Sequence, residues 1–349
     1  MPMLADVVDA VIGVDTHTQT HTLAVCAPTG ALLHQVTIPA SDDGHAHALE
    51  LALAAGGRVV FAIEGTRSHG IALTRAVQGA GLVVLEVEQP SRKARRGKGK
   101  SDDIDAVLAA RAALGYDVDK LPTPRADGTR EALRILLVAR RDATDERTAK
   151  INMLRALLRT GTPDDAALAT GKMTKTRLAA IATRVGKPGD DTAAAVRLAQ
   201  ARRLALRISE LDRELRDNDT QLRQLVTDLA PGLLDRYGIG PVNAAQAIVS
   251  WSHPGRCRSE AAFAALAGVN PIPASSGLHQ RHRLNRGGDR TLNAALHNIA
   301  MIRMRSCSRT RAYVARRRAE GKNDREIRRC LKRYIARELY RTLNREITA

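Results

Sequence analysis

Short apolar runs separated by polar turns dominate the first part of the chain. Residues 9–15 (DAVIGVD), 21–27 (HTLAVCA) and 31–38 (ALLHQVTI) are divided by the polar segments THTQT and PTG. Runs of this length, apolar or alternating, predict three consecutive strands joined by turns.

The following segments alternate between helical and strand patterns. A helix is predicted over SDDGHAHALELALAAG, with Ser41 or Asp42 as its N-cap and Gly56 at its end. Two buried strands are predicted at 58–64 (RVVFAIE) and 82–88 (LVVLEVE), with the helical pattern SHGIALTRAVQGAG between them.

A basic loop then leads into SDDIDAVLAARAAL, which predicts a helix capped by Ser101 with acidic residues in its first turn. The order is therefore βββαβαβ followed by a helix. This is the element order of a ribonuclease H-like α/β domain, which we expect to end near Pro122 or Pro124.

From about residue 127 to 230 the pattern is helical, with no convincing strand. One long helix is predicted over EALRILLVARRDATDERTAKINMLRALLRT, and a polar, glycine-bearing stretch near 161–190 separates it from a second. In the second helix the apolar positions step alternately by four and three residues, which is typical of a coiled-coil seam. The seam consists of Leu204, Ile208, Leu211, Leu215, Asn218, Leu222, Leu225 and Leu229. Asn218 is either a polar core residue that sets register or a solvent-facing one, and the seam is compatible with an internal hairpin or an oligomer.

The last region begins at Pro231 and contains Gly238 and Gly240 between two apolar stretches. This pattern indicates a helix-hairpin-helix turn, in which glycines let backbone amides approach a phosphate, or a simple packing corner. The predicted architecture is α/β plus mainly α, with domains at 1–125, 126–230 and 231–349.

The charge is strongly basic and unevenly distributed. The 349 residues hold 55 Lys and Arg against 37 Asp and Glu, a formal charge of +18. Residues 281–349 alone hold 20 basic and 6 acidic residues, and SRKARRGKGK contains no acid. Blocks this one-sided favour a nucleic-acid partner over a merely solvated face. Aromatic residues make up only 2%, so we expect contacts to the backbone rather than base stacking. The candidate nucleic-acid-binding residues are Arg92, Lys93, Arg95, Arg96, Lys98, Lys100, Gly238, Gly240, Arg281, Arg283 and Arg286.

Other classes of protein are disfavoured. No apolar run reaches the length of a membrane span, and the opening residues do not resemble a secretory signal. The four cysteines lack metal or redox spacing, so we expect reduced thiols. We therefore expect a cytoplasmic, nucleoid-associated protein without a membrane partner.

Four carboxylates fall at consistent positions in the predicted first domain. Asp15 ends the first strand and Glu64 the fourth, while Asp102 and Asp105 lie three residues apart at the head of the following helix. Any one of them alone is better explained as a strand end or a helix-capping acid. Together they predict a cluster of oxygen ligands, which favours Mg²⁺ or Mn²⁺ and suits catalysis on a phosphodiester. Asp103 has the wrong helical phase to join them.

Several segments carry a resemblance to a known family. IGVDTHTQTHTLAV, AIEGTRSHG and KSDDIDA resemble the acidic motifs of bridge-RNA-guided insertion-sequence transposases of the 110 type. GIGPVNAAQAI, FAALAGVNPIPASSG and RLNRGGDRTLNAALH resemble the C-terminal domain of that family. The resemblance implies a RuvC-like DEDD domain, with Asp15, Glu64, Asp102 and Asp105 as its acidic quartet. It also implies a DNA recombinase that excises and inserts its own element under the guidance of an RNA.

The segment PIPASSGLHQRHR holds the candidate nucleophile. A serine pair before glycine is by itself only a turn signal. The family has serine directly before the glycine, which selects Ser276 and leaves Ser275 as the fallback. The resemblance implies a covalent phosphoserine link to DNA. A nucleophile so far along the chain from the acids implies a composite site, in a dimer or tetramer.

Two alternative functions remain open at this point. A junction-resolving endonuclease would use the same carboxylates with water as nucleophile. A noncatalytic nucleic-acid-binding protein would use the basic regions and the coiled coil alone, and would keep its activity without the acids.

Overall fold

The computed structural model describes residues 2–87, 102–125, 127–186, 188–189, 191–273, 282–283 and 285–347. The chain divides into two compact units. One comprises Met1–Glu131, Ile248–Asn293 and Arg329–Ala349, and the other comprises Ala132–Ala247 and Ala294–Arg328.

The first unit contains a mixed five-stranded sheet in the order β3-β2-β1-β4-β5. Its strands are β1 (Ala10–Thr16), β2 (Thr20–Cys26), β3 (Leu32–Pro39), β4 (Val59–Glu64) and β5 (Val83–Val87). The first three, predicted as consecutive strands joined by turns, form an antiparallel meander, and β4 and β5 join it in parallel to β1. This sheet is consistent with the predicted ribonuclease H-like domain.

Three helices cover the sheet: α1 (Asp42–Ala55), α2 (Ile71–Gly79) and α3 (Asp102–Leu114). The first begins where the sequence predicts, since the Ser41 hydroxyl accepts a hydrogen bond from the Gly44 N–H at 3.4 Å. Gly56 ends it with a positive φ of 66°, a conformation that glycine adopts without strain. Ser101 lies outside the described residues, so the predicted cap of α3 stays a prediction.

Alternate residues of the central strands face opposite sides of the sheet. Ile12, Phe61 and Ile63 lie in one buried cluster with residues of α1 and α2. Val60 and Ala62 lie in a second cluster with the alanines of α3. The residues of β1 and β4 that continue the second series therefore face α3.

Helices account for most of the second unit. The long helices are α4 (Gly128–Arg159) and α7 (Thr192–Leu229), and between them lie α5 (Pro163–Ala169) and α6 (Lys175–Ala182). The sequence predicted the long pair and treated the intervening stretch only as an interruption. Thr162 and Thr174 cap the two short helices with their side chains.

Asn218 of α7 is buried, with only 8% of its surface exposed. Its Nδ2 donates to the Leu136 carbonyl at 2.9 Å, and its Oδ1 accepts from Arg140 Nη1 at 3.3 Å. Both partners lie on α4, so Asn218 is a polar residue at a helix interface within the chain rather than a solvent-facing one. Coiled-coil geometry itself remains a prediction.

The remaining described residues include five helices and one two-stranded ladder. The helices are α8 (Pro241–Trp251), α9 (Glu260–Leu266), α10 (Arg290–Ser306), α11 (Ser308–Ala319) and α12 (Asp324–Ile347), and β6 (Ile272–Pro273) pairs antiparallel with β7 (His282–Arg283). None of the helices in the described part of the chain combines the length and apolarity that a membrane span requires.

The predicted helix-hairpin-helix is not confirmed. The segment before Gly238 forms a short 3-10 turn at Pro231–Leu233 followed by further turns, and only α8 after it is a helix. The six residues between Pro231 and Gly238 leave too little chain for a helix that packs against α8.

Candidate active site

Asp15 and Glu64 lie side by side at the carboxyl ends of adjacent parallel strands. Val14 of β1 pairs with Ile63 of β4, so the next residue of each strand is Asp15 and Glu64. The Thr16 hydroxyl donates to the Glu64 carbonyl at 2.8 Å and ties the two strand ends together. This is the edge at which the sequence predicted the two acids to meet.

Both acids belong to the series of residues that faces α3. Asp15 follows Gly13 by two positions, and Glu64 follows Ala62 by two. Asp15 is only 9% exposed, whereas Glu64 is half-buried. At least one carboxylate on this face, that of Asp15, is therefore largely shielded from solvent.

Gly13 brings α3 unusually close to the sheet. A Cβ atom at this position would lie 2.0 Å from the Ala106 carbonyl oxygen and 2.6 Å from the Ala110 nitrogen. Only glycine permits this approach of the helix backbone to β1. The contact fixes the first turns of α3 over the same face as Asp15.

Asp105 directly precedes Ala106 and is 6% exposed. Its neighbour Asp103 is exposed, and the Asp103 carbonyl accepts a hydrogen bond from Gln35 Nε2 at 2.9 Å. The two side chains thus differ in the way the helical phase predicted. Asp102 is the first residue of α3, and its side chain lies outside the described ones.

Histidine also reaches this edge. His17 Nε2 lies 3.3 Å from Asp15 Oδ2. The sequence alone predicts no role for His17, although the DTH sequence places it two residues after the strand-ending acid. Within the described residues, which leave out the Asp102 side chain, no three His, Cys, Asp or Glu side chains lie close enough together to hold a metal ion.

The second half of the predicted site is less completely described. Ser275, Ser276 and Arg281 lie outside the described residues, as do the six basic residues at 92–100. Arg283 belongs to β7, and Arg286 is exposed.

Asp289 anchors the segment that follows these residues in the chain. Its carboxylate accepts hydrogen bonds from the Ser250 hydroxyl at 2.5 Å and from the N–H groups of Thr291 and Leu292 at the start of α10. Burial alone would raise the pKa of Asp289, but these hydrogen bonds hold it below its ordinary value. The end of α8 and the start of α10 are therefore joined by a charged N-cap, a contact that the sequence alone does not predict.

The glycines of the predicted phosphate-binding turn have different surroundings. Gly238 has a φ of 77°, and a Cβ there would lie 3.2 Å from Ile302 Cγ2 on α10. The adjacent Tyr237 carbonyl accepts from Arg303 Nε at 2.8 Å. No described heavy atom lies within 4 Å of a Cβ built on Gly240. Turn geometry and packing therefore account for Gly238, while a phosphate contact at either glycine stays a prediction.

Comparison with known proteins finds related sequences for two regions of the chain. Residues 12–163, which contain Asp15, Glu64 and Asp105, match the transposase family DEDD_Tnp_IS110. Residues 232–315 match the transposase IS116/IS110/IS902 family. The chain belongs to the IS110 family of transposases. It is also 28% identical to the insertion element IS900 uncharacterized 42 kDa protein of Mycobacterium paratuberculosis, over 77% of this chain and 79% of that protein.

Membership of this family is relevant to the role of the acids at the ends of β1 and β4. A DEDD transposase domain implies a divalent metal cation. The residues present fit such an ion, because Asp15 and Asp105 are buried carboxylates on one face of the sheet and Glu64 ends the neighbouring strand. Donor sets made of oxygen alone are those that Mg²⁺ and Mn²⁺ prefer.

Proposed function

We propose that this IS110-family transposase excises and inserts its own DNA element, with a metal-dependent acidic site and a serine nucleophile. The observation that supports the proposal is that Asp15 and Glu64 end the adjacent parallel strands β1 and β4, while the buried Asp105 lies on α3, the helix that covers the same face. Asp15 and Glu64 are 49 residues apart in the chain but lie at neighbouring strand ends, where their like charges repel and a bound cation would offset the repulsion.

In this proposal Asp15, Glu64, Asp102 and Asp105 hold Mg²⁺ or Mn²⁺. A bound divalent cation neutralises charge on a scissile phosphate and on the oxygens that attack and leave. His17, at 3.3 Å from Asp15, restrains the orientation of that carboxylate. The tight contact of α3 with Gly13 keeps Asp105 in place during the reaction.

Ser276 supplies the nucleophile in the proposed reaction. Its hydroxyl gives up a proton and its Oγ forms a bond to phosphorus, while one bridging P–O bond of the DNA strand breaks and the leaving oxygen takes up a proton. Arg281, Arg283 and Arg286 follow in the chain and supply positive charge for the nonbridging oxygens. The product is a phosphoserine link that a second strand can resolve by transfer.

Guidance by an RNA encoded in the element, and assembly as a dimer or tetramer, complete the proposal. The family resemblance and the basic blocks at 92–100 and 281–349 support the RNA and DNA contacts. A composite site between protomers would bring Ser276 to the acids although the two are far apart in the chain.

The test is a strand-cleavage assay with full-length protein and a DNA duplex from the end of the element, supplied with the element's noncoding RNA. Wild type and Ser275→Ala are expected to form a covalent protein–DNA adduct that survives denaturation, whereas Ser276→Ala forms none. Asp105→Asn is expected to abolish cleavage and Asp103→Asn to preserve it.

Other outcomes would identify a different function. Unchanged cutting by Ser276→Ala with no adduct in wild type would indicate a junction-resolving endonuclease that uses water. Unchanged transposition by Asp15→Asn together with Asp105→Asn would indicate a noncatalytic nucleic-acid-binding protein.

A further inference from the structure

Four arginines from three separate segments of the chain gather in the first unit, beside the end of β5. We name Arg67, Arg125, Arg130 and Arg256 the arginine cluster. Arg125 donates to Glu86 from its backbone N–H at 3.0 Å and from Nε at 2.8 Å, and Arg67 Nε lies 3.6 Å from the same carboxylate. Glu86 belongs to β5. It pairs with Ile63 of β4, the residue that immediately precedes Glu64.

The other two arginines contact the last turn of α8. Arg130 Nη2 donates to the Val249 carbonyl at 3.0 Å, and Arg256 Nη1 donates to the Ser250 carbonyl at 2.8 Å. The carboxyl end of a helix attracts cations, which explains these contacts. It does not explain why two further guanidinium groups lie near them.

The positive charges of this cluster lie close enough to affect one another. Glu86 lies against Arg125 and Arg67, and Glu131 lies beside Arg130. Burial and then the charges of Arg125 and Arg67 lower the pKa of Arg130 to about 10. Among the described residues, Arg130 Nε and Nη1 have no hydrogen-bond partner although both atoms are buried, and Glu131 lies 3.8 Å from Nη1. A buried cation with unused donors is a costly arrangement that an anion would relieve.

The loop after α8 adds polar groups without adding charge. His253 has its pKa lowered to about 4, first by burial and then by Arg125 and Arg256, so it is neutral at neutral pH. Ser252 has a φ of 74°, a backbone conformation that favours glycine, and its Oγ lies 3.0 Å from His253 Nδ1. A hydroxyl and an imidazole are thus held beside the arginines at some cost in backbone strain.

We propose that the arginine cluster binds a backbone phosphate of the DNA strand, next to the phosphate that is presented to the acidic residues. Arg67 makes the contact from solvent, since 40% of its side chain is exposed, and Arg125 and Arg130 reinforce the positive potential from below. Arg67 follows Glu64 by three residues in the loop that leaves β4, at the end of the sheet where Asp15 and Glu64 lie. This proposal rests on the proposed function in taking the bound strand to be DNA. The presence of an anion site does not depend on the proposed function.

The experiment compares two arginines at opposite ends of β4. Arg67→Gln removes a charge at the acidic end, and Arg58→Gln removes one from an exposed position just before the strand begins. Binding of full-length protein to a fluorescein-labelled duplex from the element end is measured by anisotropy over a range of salt concentrations. Thermal unfolding and circular dichroism confirm that each variant folds.

Arg67→Gln is expected to weaken binding about tenfold and to reduce the slope of log K against log salt by about one, whereas Arg58→Gln changes neither by more than a small fraction. Equal effects of the two variants would overturn the proposal. A second arm measures thermal stabilisation by inorganic phosphate at constant ionic strength. Stabilisation by phosphate that Arg67→Gln removes, together with unchanged DNA binding, would identify a small-anion site and overturn the DNA assignment.

The outcome is separable from that of the proposed function. Asp15→Asn is expected to bind the duplex with at least wild-type affinity while it fails to cut. If Asp15→Asn retained transposition, the catalytic proposal would fail, and the comparison of Arg67→Gln with Arg58→Gln would still decide whether the cluster binds DNA.

Discussion

We call the first unit, which contains the five-stranded sheet, the sheet unit. It differs from the α4–α7 pair in how closely its elements pack and how deeply its ion pairs are buried. In the sheet unit, α3 lies so close to β1 that no side chain fits at Gly13, and Glu86 and Arg125 form an ion pair with 7% and 12% of their side chains exposed. In the α4–α7 pair, Arg207 of α7 forms ion pairs with Glu146 of α4 and with Glu210 and Glu214 of its own helix, and every side chain involved is about one-third exposed or more.

This difference indicates which part of the molecule can keep reacting side chains in fixed positions. Backbone contacts and buried ion pairs leave little freedom, so the acids at the end of β1 and β4 keep their positions. Exposed ion pairs are screened by water and salt and define geometry weakly. We therefore expect substitutions in the sheet unit to change both stability and activity, and those in the helical pair to change mainly stability.

Gly13→Val is expected to have the largest effect. Its Cβ would overlap the Ala106 carbonyl oxygen, so α3 must move away from the sheet. We expect a loss of about 3 kcal/mol or more in the free energy of unfolding, together with loss of DNA cleavage. Urea unfolding and the cleavage assay measure the two quantities. Wild-type stability in this variant would show that α3 is not held to β1 by this contact.

Arg125→Met is expected to have the next largest effect, a loss of about 2 kcal/mol in the free energy of unfolding. The loss is not larger because Arg67 still faces the buried Glu86 carboxylate. Burial alone would raise the pKa of Glu86, but Arg125 and Arg67 hold it below its ordinary value. The pair therefore stabilises the protein fully above about pH 4.5, and this contribution disappears as the pH falls through the lowered pKa. The stability gap between wild type and variant should narrow in acid. Arg207→Met is the contrasting variant. We expect it to lower the free energy of unfolding only slightly, and not at all at high salt.

Asn218→Ala is expected to cost about 1 kcal/mol, because it removes the hydrogen bonds to Leu136 and Arg140 while leaving the apolar seam intact. Cleavage activity should be unchanged in this variant. A change in oligomeric state, measured by light scattering, would instead show that the polar residue specifies assembly.

Gly79→Ala is the smallest expected change and has the opposite sign. Gly79 is the last residue of α2, and no described heavy atom lies within 4 Å of a Cβ built there. Alanine should raise the free energy of unfolding by about 0.5 kcal/mol through its higher helix propensity. Destabilisation would indicate that this helix end needs the freedom of glycine.

Much of the sheet unit could be predicted because its signals are local. Alternating strands, the N-cap at Ser41 and the glycine at 56 are each visible within a few residues of sequence. The placement of Asp15 and Glu64 also followed, since parallel strands present their carboxyl ends at one edge.

The remainder depends on contacts between residues distant in the chain. Nothing near Gly13 indicates that Ala106 packs on it, and Arg67, Arg130 and Arg256 come together only through the fold. The short helices α5 and α6 are below the length at which periodicity is readable, although their threonine caps are present in the sequence. The glycines at 238 and 240 resembled a hairpin motif, but Pro231 shortens the segment in front of them to a 3-10 turn.

The central claim is that Asp15 and Asp105 belong to one divalent-cation site, and Mn²⁺ titration followed by electron paramagnetic resonance tests it most directly. Wild type and Asp103→Asn, whose exposed side chain lies on the same helix, are expected to bind Mn²⁺ with equal affinity. Asp15→Asn and Asp105→Asn should each weaken binding at least about tenfold while the protein stays folded. Wild-type Mn²⁺ affinity in folded Asp15→Asn and Asp105→Asn would contradict the claim.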